Sequence, residues 1–237
     1  MILLFDKNIS QNSNKHQLDF EQSHHINIVL RKANGCNLTV TNGKGLEWLG
    51  EIYSYKNGKV ELKRINSKIH KKTKKMIHLI IAPTKNIKRM EWMLEKLTEM
   101  GINSITPIIC YHSERKYFKR DRLIKIMISA LKQSKQFFLP KLNAMTTFEN
   151  YITITKDPFF IAHCRDKNIK KLLEIKLNNS NDTILIGPEG DFSKKEIKLS
   201  IDFGGIPVSL GNNILRTETA GIIACQTIML KQQLNNI

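Results

Sequence analysis

From Met76 onward, short and wholly apolar runs alternate with longer amphipathic ones, and this alternation constrains the fold more than any other feature. MIHLIIAP (76–83), SITPII (104–109), PFFIAHC (158–164), DTILIG (182–187) and IPVSLG (206–211) read as strands. A strand with one wet face would alternate apolar and polar residues. These are apolar on both faces, which predicts burial from both sides. Between them, KRMEWMLEKLTEMG (88–101), RDRLIKIMISALKQS (120–134) and FSKKEIKLSIDFGG (192–205) read as helices, and a last helix follows Arg216. In the first of these, Met90, Met93, Leu94, Leu97 and Met100 share one face, and Gly101 supplies the C-terminal cap. Such a pattern predicts an α/β fold with a parallel sheet covered on both faces.

The preceding residues follow a different rule. LTV (38–40) and LEWLGEIYSY (46–55) flank TNGKG, and KVEL (59–62) follows Lys56-Asn57-Gly58. Asn-Gly between alternating residues predicts a hairpin, because both turn positions need positive φ. A small antiparallel sheet or barrel is expected over the first 70 or so residues, with EQSHHINIVLRKANG before it as a short helix ending at Gly35. KRINSKIHKKTKK (63–75) is basic with few apolar residues and reads as a solvated linker, a phosphate-contacting strip being the secondary reading. The expected division is a first domain over 1–70 and a second over 71–237.

Charge points to a partner. The chain has 38 Lys and Arg against 21 Asp and Glu, a net +17. An excess of this size favours a polyanion such as RNA, although the preference for Lys inflates it. Cys36, Cys110, Cys164 and Cys225 are scattered without a CxxC pair, so a disulfide scaffold is not expected. Cys110 with His112 is the sole metal-like spacing and lacks partners, so no metal is expected. The opening MILLFD is too short for a signal-peptide core, and no apolar run reaches membrane-spanning length. The expected location is the cytoplasm.

In open α/β sheets, ligands bind beyond the carboxyl ends of the strands. This selects the loops IAHCRD (161–166), LIGPEGDFS (185–193) and SLGNNILRTETAGIIA (209–224). Glycines in GPEG (187–190) permit close backbone approach to a ligand, and Pro188 stiffens the turn. Ser193 and Glu196 have capping-box spacing, so a helix starts directly after this loop, and Glu189 lies where a helix N-terminus favours negative charge. No GxxxxGK[ST], no GxGxxG after a strand and no GxSxG occurs, which counts against a P-loop nucleotidase, an ordinary dinucleotide fold and a nucleophile elbow. Loops without a phosphate-cradling signature suit a neutral, adenosine-like ligand.

LIGPEGDFS together with SLGNNILRTETAGIIA resembles the signature of the SPOUT-class RNA methyltransferases, and more narrowly the 16S ribosomal RNA uracil-N3 methyltransferase family, often called RsmE. HHINIVLRKANG (24–35), KRMEWMLEKLTEMGINSITPIICYHSER (88–115) and KQSKQFFLP (132–140) resemble further segments of that family, in its order. The resemblance implies a PUA-like RNA-binding β-barrel followed by a SPOUT domain with a trefoil knot. It also implies S-adenosyl-L-methionine as cofactor, a homodimer with its active site at the subunit interface, and methylation of N3 of a uridine in 16S ribosomal RNA, on the assembled small subunit. On the same basis, His163, Ile186, Gly187, Pro188, Glu189, Gly190, Leu210, Gly211, Ile214, Leu215 and Arg216 stand at the cofactor. Three departures are visible. Gly190-Asp191-Phe192-Ser193 stands where many members have Gly-Gly-Leu-Ser, Gly211-Asn212-Asn213-Ile214 where many have Gly-Pro-Arg, and MILLFDKNIS lacks a basic first strand.

The reaction implied would need an anion stabilised. Uracil N3 is a poor nucleophile until its proton leaves, and the charge then spreads over O2 and O4. Thr217 suits a helix cap and Glu218 a first turn, whereas a cation is unfavourable there, so Arg216 is expected to be the electrostatic catalyst. Glu218 is the candidate proton acceptor, with a purely helical role as its alternative. His25, Arg31, Lys88, Arg89, Gln133 and Ser134 are the candidate RNA contacts. A related SPOUT enzyme acting on another RNA or base, and a non-catalytic RNA-binding assembly factor, remain as alternatives at this point.

Overall fold

The structure is a computed structural model that describes residues 1–73, 75–166, 168–177 and 181–234. It divides into two compact units. One is Met1–Lys72 with Ile128–Leu139, the other Thr73–Met127 with Pro140–Ile237.

The first unit is built on a mixed five-stranded sheet ordered β1-β3-β4-β5-β2. Strands β3 (Asn37–Thr41), β4 (Leu46–Lys56) and β5 (Lys59–Ile69) form its antiparallel centre. Asn57 and Gly58 take φ of 51° and 74°, the left-handed pair that the hairpin turn needs. Once that turn fixes the register, all of β4 seeks a partner, and β5 pairs with it as far as Ile69 opposite Leu46. The basic stretch after Leu62 is therefore strand up to Ile69 rather than linker. Backbone pairing does not depend on side-chain polarity, and its long cations stay in water. Two edge strands went unread in the sequence. Strand β1 (Leu3–Phe5) lies parallel to β3, and β2 (Lys15–Gln17) antiparallel to β5.

Helix α1 (Phe20–His24) starts at Asp19, whose carboxylate accepts from the Gln22 amide at 2.7 Å. It continues as a π-helical turn, His25–Val29, and stops well before Gly35 because Arg31 turns to φ 48°. Leu18, Ile26, Leu38, Val40, Leu46, Trp48, Ile52, Val60 and Leu62 fill the core. Gly50 is required there, since a Cβ would sit 2.3 Å from the Trp48 ring. Residues 136–139 join this unit through the β3–β4 turn. Gly45 N–H donates to Phe137 O at 2.8 Å, and Leu139 N–H to Gly43 O at 2.9 Å.

The second unit carries the anticipated parallel sheet, ordered β12-β10-β11-β6-β7-β8 among the described residues. Its strands are β6 (Met76–Ile81), β7 (Ser104–Ile109), β8 (Lys141–Leu142), β10 (Phe159–Ala162), β11 (Asn181–Ile186) and β12 (Gly205–Val208), with β9 (Thr146–Thr147) also on β7. Helices α2 (Ile87–Met100), α4 (Phe148–Ile154), α5 (Lys194–Asp202) and α6 (Thr217–Leu234) belong wholly to this unit, whereas α3 (Arg120–Gln133) spans the division between the units. The sequence pattern missed α4, a two-turn element whose N-cap is the Thr147 hydroxyl, 3.2 Å from the Asn150 amide.

Strand order positions the site. Strands β12, β10 and β11 are neighbours and parallel, so the loops at their carboxyl ends open on the same side. After β12 the chain returns to pack α6 on β6, β11 and α2. Gly221 lets it settle there, because a Cβ would lie 3.0 Å from both Ile81 Cδ1 and Met93 Sδ.

Candidate active site

The loop after β11 is shaped by its own backbone. Asp191 N–H donates to Pro188 O at 2.9 Å, closing a turn over Glu189 and Gly190. Gly187 is tightly packed, since a Cβ would stand 3.1 Å from the Phe192 ring. Gly190 is held against His112, where a Cβ would stand 3.0 Å from the His112 Cβ. Helix α5 then begins with the expected capping box. The Ser193 amide and hydroxyl both donate to Glu196 Oε2 at 2.8 Å, and Glu196 Oε1 accepts from the Tyr111 amide at 2.8 Å. Glu189 does not serve that helix. Its Oε1 accepts from the Lys85 amide at 2.8 Å, tying this loop to the one before α2. The α5 N-terminus was already satisfied by Ser193 and Glu196, so Glu189 was left to serve a neighbouring loop.

Asp191 makes the second link. It takes φ 63°, and its carboxylate accepts from Cys164 N–H at 2.9 Å and Phe192 N–H at 2.7 Å. Arg165 returns the contact, its Nε donating to Phe192 O at 2.5 Å. The loops after β10 and β11 are thus fastened together. His163 is held at the base of the first, only 8% exposed. Its Nδ1 accepts from the Arg165 amide at 3.3 Å, which leaves the proton on Nε2. That Nε2 is buried and has no hydrogen-bond partner among the described residues. Burial pushes the imidazole below its ordinary pKa, with Asp191 and Asp166 opposing the shift, so it is a neutral donor near pH 7.

The loop after β12 supplies the third wall. Ser209 pairs with the strand-like segment before Leu172, accepting from the Leu172 amide at 2.8 Å and donating to Lys170 O at 3.0 Å. Gly211 takes φ 145°, and a Cβ there would meet nothing within 4 Å among the described residues. Leu210 and Leu215 are half-buried, whereas Ile214 is 85% exposed, an unusual place for an isoleucine. Thr217 does not cap α6 with its side chain. The hydroxyl instead donates to Gly187 O at 3.2 Å, joining this loop to GPEG. Ile186 and Pro188 are buried beneath the cluster.

Arg216 is exposed and forms no ion pair among the described residues. Glu218 is 5% exposed, and its Oε1 lies 3.6 Å from Arg89 Nε while Oε2 has no partner among the described residues. Sequence reasoning put Arg89 among RNA contacts, and the structure places it beside this carboxylate. Lys88 is exposed at the start of α2, its amide capped by Asn86 Oδ1 at 3.0 Å. His25, Arg31, Gln133 and Ser134 belong to the first unit. His25, Arg31 and Gln133 are exposed, and Ser134 donates its hydroxyl to Ala130 O at 2.7 Å. Arg31 lines an open groove of about 570 Å³ with Lys32, Asn34 and Tyr55. Asp191, Arg165 and Arg89 were not given these roles in the sequence reading. Only Asp191 carried a signal, standing where many members have a glycine.

Residues 71–229 match the family described as RNA methyltransferase domain. The chain belongs to that family. The small-subunit ribosomal RNA methyltransferase E of Rickettsia conorii is 28% identical over 232 residues, covering 96% of this chain and 94% of that protein. A probable rRNA methyltransferase from Porphyromonas gingivalis superposes with a TM-score of 0.92 at 34% identity, covering 99% of this chain and 100% of that one. The corresponding methyltransferase E from Neisseria gonorrhoeae, solved bound to S-adenosyl methionine, has a TM-score of 0.84 at 25% identity, covering 97% and 98% of the two chains.

Proposed function

We propose that this chain methylates N3 of a uridine in 16S ribosomal RNA, using S-adenosyl-L-methionine. The observation that carries the reading is the joining of GPEG to the loop after β12 through Thr217 and Gly187. It ties the loop that carries the cofactor candidates Ile186, Gly187, Pro188, Glu189 and Gly190 to the one that carries Leu210, Gly211, Ile214 and Leu215 and runs on into Arg216 and Glu218, which supports a shared site. The cofactor supplies an electrophilic methyl group. Backbone groups of Gly187, Gly190 and Gly211 would hold its polar edge, Leu210 and Ile214 would cover its apolar faces, and His163 Nε2 would donate to one of its acceptors.

The chain's remaining task is to make N3 nucleophilic. Arg216 stands free beside the loops, and its guanidinium stabilises the charge that develops on the uracil oxygens as the proton leaves. Glu218 receives that proton on Oε2, while Arg89 holds Oε1. With both reactants held in line, positioning supplies much of the rate.

The finer architecture follows the same reading. Pairing of Ser209 with Lys170 and Leu172, and the contact of Lys231 Nζ with Leu173 O, support α6 running beneath the 163–177 loop as in a trefoil knot. The mixed sheet of the first unit supports a PUA-like RNA-binding module. Exposed Ile223, Leu230 and Leu234 on α6 support a homodimer. A small-subunit substrate places the enzyme in the cytoplasm.

The test is methyl transfer from labelled S-adenosyl-L-methionine to unmodified small subunits and to naked 16S RNA, with the modified nucleotide mapped. Label at N3 of one uridine, lost in Arg216→Ala, is the expected result. Label on another base or on another RNA alone would refute the reading.

A further inference from the structure

Lys85 and residues 111–119 form a face of the second unit whose exposed side chains have no part in the roles above. Tyr111 and Tyr117 are 79% and 70% exposed, the most exposed aromatic side chains among the described residues. Tyr111 meets the edge of the His112 ring, centroids 5.0 Å apart. Lys116 and Lys119 are exposed and make no ion pair among the described residues. Lys119 precedes α3, its carbonyl accepting from the Arg122 amide at 3.1 Å, where the helix dipole opposes a cation. Lys85, Glu114, Arg115, Lys116 and Tyr117 line an open groove of about 340 Å³. Arg115 is not available to a ligand, because its guanidinium donates to Thr84 O at 3.0 Å and Lys85 O at 2.7 Å.

This face is fixed to the GPEG loop at three points. The Lys85 amide donates to Glu189, His112 Nδ1 lies 2.9 Å from Asp191 O, and the Tyr111 amide donates to Glu196. Lys85 Nζ is taken by Glu114 at 2.8 Å, but Lys116 and Lys119 make no ion pair among the described residues. Exposed rings flanked by such lysines are the two elements of single-strand recognition. Every base offers a π-face to stack, and the backbone offers phosphates. A duplex would use neither ring, since it is read by shape and by its 2′-hydroxyls. We propose that this face binds an unpaired stretch of the RNA substrate, with Tyr111 and Tyr117 stacking bases and Lys116 and Lys119 meeting phosphates. The inference rests on the RNA-methyltransferase reading and adds to it where the strand lies beside the catalytic loops.

The experiment measures binding of a fluorescent, mixed-sequence single-stranded oligoribonucleotide to the full chain across a salt series. Combining Tyr111→Ala with Tyr117→Ala should weaken binding about tenfold or more, and Trp at both positions should restore it. Combining Lys116→Gln with Lys119→Gln should flatten the log–log salt slope by about 1.4, two phosphates' worth on a single strand. Cofactor affinity should stay at the wild-type value throughout. Unchanged oligonucleotide affinity and slope, or no binding by the wild type, would overturn the proposal. So would a tyrosine variant whose sedimentation shifts to a smaller species, which would make this face a contact between copies. The binding readout needs no methyl transfer. A wild type that binds the strand through these rings yet methylates nothing would sink the proposed reaction alone.

Discussion

The Thr217 hydroxyl donates to the Gly187 carbonyl at 3.2 Å, and both groups are buried. This bond couples the start of the last helix to the GPEG loop, proposed above to hold the cofactor. Thr217→Val keeps the shape and removes the donor, leaving a buried carbonyl unsatisfied. The expected cost is about 1–3 kcal/mol of stability. Cofactor affinity should fall with it, because Gly187 is released. Denaturant unfolding together with calorimetric titration of S-adenosyl-L-methionine checks both. A variant that loses stability with cofactor affinity intact would confine the bond to the fold.

Asp191 holds two amides while sitting at φ 63°. Asp191→Gly should relieve the backbone and lose the clamp, whereas Asp191→Ala should suffer both penalties. The alanine variant is therefore expected to be the less stable, by about 1 kcal/mol, through its left-handed conformation. Both should raise the KM for the cofactor, since the β10 and β11 loops are no longer fastened. Equal stability of the two variants would show that φ at this position relaxes.

Arg216 and Arg89 differ in what surrounds them, and their variants should differ accordingly. Arg216→Ala should lower kcat about 10²–10³-fold with little change in cofactor affinity, as for loss of a transition-state donor. Arg89→Met strands the Glu218 carboxylate without its cation. It should lower kcat while leaving RNA affinity at the wild-type level. Reduced RNA affinity with unchanged kcat would return Arg89 to the RNA contacts and detach it from Glu218.

The parts of this molecule that could be read in the sequence are those fixed by local rules. Apolar runs at β6, β7 and β11 had no alternative to a doubly covered sheet, and Asn57-Gly58 specified its hairpin unaided. The Ser193 and Glu196 capping box followed from spacing alone. What escaped depends on partners distant in the chain. Strand β5 outran its apolar pattern because β4 paired with it, and β1 exists because β3 offers an edge. Thr217 looked like a cap until Gly187, thirty positions away, claimed its hydroxyl. Glu218 could be named as a carboxylate at a helix start, but its burial and its Arg89 neighbour arise only when α6 packs on α2.

Histidines in the second unit should set the acid limit of stability. His78 is packed against Thr106, its Nε2 2.8 Å from the hydroxyl, and burial pushes its pKa down to about 4, with Lys141 adding to the shift. The unfolded chain binds this proton near pH 6.5, whereas the folded chain resists it. Between those values the unfolded state holds more protons, so stability falls as pH drops from about 6.5 to about 4. Above that window both states are neutral at this position and the effect vanishes. His163 is shifted in the same direction by burial, so it steepens the decline. His78→Gln retains a hydrogen-bonding side chain and cannot titrate. Its denaturation midpoint should therefore fall less than the wild-type midpoint between pH 6.5 and 4. Parallel curves for the two proteins would show that His78 protonates without penalty in the folded state.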